Sequence, residues 1–104
     1  MSHLNKITIE QSLLALGIAS AEYLKCVQDT GHARADYIEA RDSYIQSTFE
    51  ELPWAVWLED EGFQNATSDL YKKYQSAKRN EYNAKRRLDT KFRQYNNAVR
   101  LGGV

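Results

Sequence analysis

A single cysteine and a single proline in 104 residues set the first limits on this chain. One cysteine excludes an internal disulfide framework and fits a reducing compartment. One proline and five glycines leave few places for the tight turns that a many-stranded sheet requires. No uninterrupted apolar run approaches the ~20 residues of a membrane span. A Gly-rich phosphate loop, a nucleophile elbow and a paired zinc motif are all missing. Neither catalysis nor a resident cofactor or metal is therefore expected.

What is abundant is Ala, Leu, Glu, Lys, Arg, Gln, Asn and Tyr, with few β-branched residues, a composition that favours long helices. The formal net charge is zero, yet it is a cancellation. Residues 1–65 hold eleven acids and four Lys/Arg, a net of −7, and residues 66–104 hold three acids and ten Lys/Arg, a net of +7. Such a division points to self-complementary packing or to a charged partner.

Near the start, the run Leu13-Leu14-Ala15-Leu16-Gly17-Ile18 ahead of Ala19-Ser20-Ala21 mimics a signal peptide. Glu10 and Gln11 stand just before it. Thr8-Ile9-Glu10-Gln11 reads better as a capping box opening a helix, with Ile7 as a hydrophobic staple. The expectation is a soluble, cytoplasmic protein without a membrane segment.

From Thr8 to Leu52 the apolar positions recur at helical spacing. Seven-residue columns read Gly17, Leu24, Gly31, Ile38, Ile45 and Leu52, then Leu16, Tyr23, Thr30, Tyr37 and Tyr44, then Ala19, Cys26, Ala33, Ala40 and Ser47. Glu22, Asp29, Asp36, Ser43 and Glu50 form a mainly acidic column facing away. Gly31 is the place where this helix would break, but the columns keep their phase across it. One helix over residues 8–52, kinked or straight at Gly31, is favoured over a three-helix arrangement with a turn at 30–32. Residues 53–64 form the real break. Pro53 can start a short connector helix over 53–61 and Gly62 can end it. Asn65 or Thr67 then caps a last helix running to about Leu101.

That last helix carries the clearer heptad. Tyr74, Glu81, Leu88 and Tyr95 make one seam column, and Leu70, Ala77, Ala84, Lys91 and Ala98 the other. Opposite the seam, Lys72, Arg79, Arg86, Arg93 and Arg100 stand seven residues apart, over about 42 Å of helix. The fold class that follows is all-α: a single-domain antiparallel helical hairpin of long helix, short aromatic connector and long helix. One hairpin would leave Tyr23, Tyr37, Tyr44, Phe92 and Val99 half covered, so dimerisation into a four-helix-type bundle is expected.

The architecture superficially resembles the Trp-x-Gly family of secreted helical hairpins, which have a tryptophan at the bend. Here Trp57 is followed by Leu58-Glu59 rather than by a residue and glycine. Tyr71, Tyr82 and Tyr95 are followed four positions later by Gln75, Arg86 and Val99 rather than by an acid. The resemblance is architectural and carries no membership.

Each candidate feature has a plain alternative. The basic column reads as phosphate- or acid-binding, or as the solvated outer face of a helix. Trp54, Trp57, Leu58 and Phe63 read as binding anchors if exposed, or as a plug closing the end of the helical pair. Asp29, His32 and Asp36 share a helix face as a weak metal set, or as ordinary surface polarity. Cys26, in a column of small residues, reads as a packed thiol rather than a nucleophile. Asn65-Ala66-Thr67 matches a glycosylation sequon that matters only in a secreted chain. The function expected is a non-enzymatic assembly or adaptor protein that forms a homo-oligomer and binds a protein partner. The residues expected to make contact are Lys72, Arg79, Arg86, Arg93, Arg100, Trp54 and Trp57. A viral or mobile-element structural or host-inhibitory protein fits that description, and a nucleic-acid-binding module using the basic helix is the alternative.

Overall fold

The computed structural model describes residues 2–48 and 53–102, with side chains from residue 8 onward apart from that of Ala55. It is all-α. Helices α1 (Ser2–Thr48), α2 (Trp54–Glu59) and α3 (Glu61–Gly102) follow in order, the two long ones packed against each other as a helical hairpin. Helix α1 passes through Gly31 without interruption, as the unbroken phase of its columns implied. It also starts earlier than the capping box at Thr8 suggested, and the Ile7 side chain and residues 49–52 lie outside the described part.

The bend differs in detail from the sequence reading. Pro53 is the N-cap of α2 rather than its first residue, and its carbonyl accepts from the amides of Val56 (3.0 Å) and Trp57 (3.3 Å). Helix α2 closes at Asp60, and α3 begins at once, before Asn65 and Thr67. Asp60 is the cap. Its carboxylate Oδ2 accepts from the Phe63 amide at 2.7 Å, and its carbonyl accepts from the Gln64 amide at 3.0 Å. A carboxylate there satisfies a first-turn donor that has no partner within the helix, and its charge suits the positive end of the helix dipole. Gly62 does not terminate a helix. It sits in the first turn of α3, where an added Cβ would collide with the Tyr44 hydroxyl and lie 3.3 Å from Asp60 Oδ2.

The chain divides into two compact units. A bend unit comprises Gln28–Arg79, and a terminal unit comprises Met1–Val27 with Asn80–Val104. In the bend unit the core is aromatic. Phe63 and Trp57 are 2% and 3% exposed, and Tyr44 meets both edge-on with centroids 5.8 Å away. Buried Thr67 donates to the Phe63 carbonyl at 2.8 Å. In the terminal unit the buried residues are Ala19, Ala84 and Ala98. The small seam column expected of α3 therefore supplies the buried residues of that helix in this unit, Ala84 and Ala98. Tyr95, Leu88 and the interrupting Glu81 and Lys91 are half-buried around it.

Candidate binding surfaces

At the bend, Tyr44 ties the connector to α1. Its hydroxyl donates to Asp60 Oδ2 at 2.9 Å, the same oxygen that caps α3, so one carboxylate joins three elements. Trp54 packs edge-on against Phe63 at 5.7 Å, and the Arg41 guanidinium lies 5.5 Å above its indole. The Gln64 amide donates to the Leu58 carbonyl at 2.7 Å and closes α2 onto α3. Around these groups is an open groove of about 550 Å³, walled by Tyr37, Trp54, Leu58, Phe63 and Tyr71 with Lys72 among its lining.

Of the two tryptophans singled out as contact residues, only Trp54 offers surface, at 45% exposure. Trp57 is buried in the aromatic core of the bend unit and presents almost no surface. Leu58 and Tyr71 are exposed beside Trp54. Tyr71 was missed as part of this surface. The signal was available: Gln64, Thr67, Ser68 and Tyr71 share one helix face at three- and four-residue steps, and Phe63 precedes them.

All five cations of the basic column are exposed on α3, Lys72 and Arg79 in the bend unit and Arg86, Arg93 and Arg100 in the terminal unit. Among the described residues none of them makes an ion pair. Arg86 lies over the Tyr82 ring at 5.8 Å, and Arg100 donates to Asn97 Oδ1 at 3.2 Å. The ion pair of the terminal unit is instead Arg87 with Glu22, at 3.8 Å and with both side chains more than half exposed. By unit, the charge is again uneven. The bend unit has ten acids and six Lys/Arg, a net of −4, and the terminal unit four acids and eight Lys/Arg, a net of +4.

Comparison with protein-family models, with curated proteins and with solved structures finds no match to this chain. Among the described residues, no helix is long and apolar enough to cross a membrane, and no three His, Cys, Asp or Glu side chains gather as a metal site. Asp29, His32 and Asp36 are all exposed, and Cys26 is half-buried.

The third surface is apolar. Leu13, Leu14, Ile18 and Leu24 of α1 are 51–67% exposed, and Phe92 and Val99 of α3 are 54% and 40% exposed. Tyr23, Tyr37 and Tyr44 are half-buried, as expected of one hairpin, while Phe92 and Val99 are more open than that.

Proposed function

We propose that this is a non-enzymatic helical assembly or adaptor protein, acting through protein–protein binding that includes association with copies of itself. One observation carries the reading: among the described residues of the terminal unit the buried ones are Ala19, Ala84 and Ala98, while Leu13, Leu24 and Phe92 are 51–61% exposed. Scattered exposed apolar residues are normal on a soluble protein, but several on one flank of a helical pair mark an interaction surface. A structural or host-inhibitory accessory protein of a virus or mobile element is one setting for such a chain. Nucleic-acid binding is the second reading, favoured by the five exposed cations of α3 and the net +4 of the terminal unit. It has a steep signature, because each phosphate contact releases counterions and affinity falls with salt.

Light-scattering mass after size exclusion, at low and high salt and with and without duplex DNA, separates the two. The assembly reading expects a dimer or larger species that ignores DNA. A monomer that shifts onto DNA at low salt and leaves it at high salt would replace that reading with the second.

A further inference from the structure

We propose that the surface covering the apolar flank of the terminal unit is the bend unit of a second copy, with Phe92 of one chain seated in the aromatic groove of the other. This rests on the assembly reading and names its first partner.

The need for cover is set by α1. Leu13, Leu24 and Val27 fall on one flank of that helix by spacing, Ile18 on the opposite flank and Leu14 on the far side. Exposed Glu10 and Lys25 share the far side with Leu14, and Glu22 follows Ile18 by one turn, so the flank of Leu13, Leu24 and Val27, 39–61% exposed, is the one that lacks cover. Phe92 and Val99, seven residues apart, fall on the α3 flank that antiparallel packing turns to the same side as Leu13 and Leu24.

Charge selects which surface does the covering. Phe92 lies between Lys91 and Arg93 in a unit of net +4. The groove belongs to the unit of net −4, and the exposed acids Glu59, Glu61 and Asp69 neighbour its lining residues in sequence. Lys72 in that lining, Lys73 beside it and Arg41 over Trp54 offset part of these acids, and the unit as a whole keeps its net of −4. Pairing two terminal units would set +4 against +4, whereas pairing unlike units gains attraction and excludes the like-charged alternatives. Trp54, Leu58 and Tyr71, each 45–48% exposed, supply the rigid apolar walls that an aromatic anchor requires.

The test uses single-cysteine chains in a Cys26→Ser background that keep Phe92 and the apolar groove walls, one with Ser68→Cys in the groove lining and one with Asn96→Cys, exposed one turn after Phe92, each checked for helicity. The two are unfolded together, refolded as a mixture and mildly oxidised. A covalent Ser68→Cys/Asn96→Cys heterodimer that dominates the mixture supports the proposal. Disulfide formed as readily by Asn96→Cys alone overturns it in favour of like-unit pairing. No disulfide, with a wild-type mass of two copies or more, overturns this docking and leaves the assembly reading intact. No disulfide with a monomeric wild type overturns the self-association itself. In the otherwise native chain, Phe92→Ala should weaken self-association about tenfold or more. Unchanged association would count against Phe92 as the anchor.

Discussion

The bend unit and the terminal unit are built from the same two helices and are held in opposite ways. In the bend unit large side chains point inward: Tyr44, Trp57 and Phe63 interlock, and Asp60 ties the connector to α1 and α3 through two short hydrogen bonds. In the terminal unit the buried residues among those described are alanines, Leu16, Tyr23, Leu88 and Tyr95 are half-buried, Leu13, Leu24 and Phe92 face water, and Arg87 pairs with Glu22 between exposed side chains. Aromatic burial and directed hydrogen bonds make a unit that supports itself. An alanine seam allows close approach but removes little apolar area from water, and the proposed partner surface would add the burial that the seam lacks.

The largest effect that would break this contrast is expected at the aromatic core. Phe63→Ala should cost about 3–5 kcal/mol, read as a drop in the denaturant midpoint, because it opens a cavity where Tyr44, Trp54 and Trp57 meet. A loss below about 1 kcal/mol would mean the ring is not the keystone of the bend. Next comes the seam. Ala84 is 1% exposed, and Ala84→Leu should cost about 1–3 kcal/mol by forcing the helices of the terminal unit apart. An unchanged midpoint there would show that the helices do not meet through alanine.

Two glycines sharpen the comparison at smaller scale. Gly31 has open space where a Cβ would go and lies inside a continuous helix. Gly31→Ala should therefore raise stability by about 1 kcal/mol, or about 4 °C in melting temperature. Gly62→Ala should do the reverse. The new methyl would displace the Tyr44 hydroxyl from the Asp60 carboxylate, a loss of about 1.5–3 kcal/mol that outweighs the gain of about 1 kcal/mol in helix propensity. Combining it with Tyr44→Phe, which removes the colliding hydroxyl, should give less than the sum of the two losses in a double-mutant cycle. The smallest effect is expected at Arg87→Gln, under about 1 kcal/mol, because a solvent-exposed pair at 3.8 Å contributes little and is screened by salt.

Much of this was readable in the chain, for reasons that differ from residue to residue. The α3 heptad was legible because Ala84 and Ala98 recur on the face that packs, while Arg79, Arg86 and Arg93 recur on the face that does not. Gly31 was legible because a turn would have broken the phase of the columns around it. Gly62 was misread, since a glycine near an aromatic connector looks like punctuation, and Asp60 was passed over as the cap in favour of Asn65 or Thr67. The reason for Gly62 is the approach of Tyr44, sixteen positions before Asp60 in sequence, and no local pattern reveals that contact. The buried face of α1 was only partly legible. With apolar residues in several columns, sequence alone did not choose between Leu16, which is half-buried, and Leu24, which is 61% exposed. The position of α3 made that choice.

The central claim is that the terminal unit depends on a partner surface and the bend unit does not. Amide hydrogen exchange followed over a wide range of protein concentration tests it most directly. Protection in residues 8–27 and 80–102 should rise with concentration as copies associate, while the aromatic bend, residues 54–71, stays protected even at the lowest concentration. Equal protection of both units at every concentration would contradict the account and make the terminal unit stable on its own.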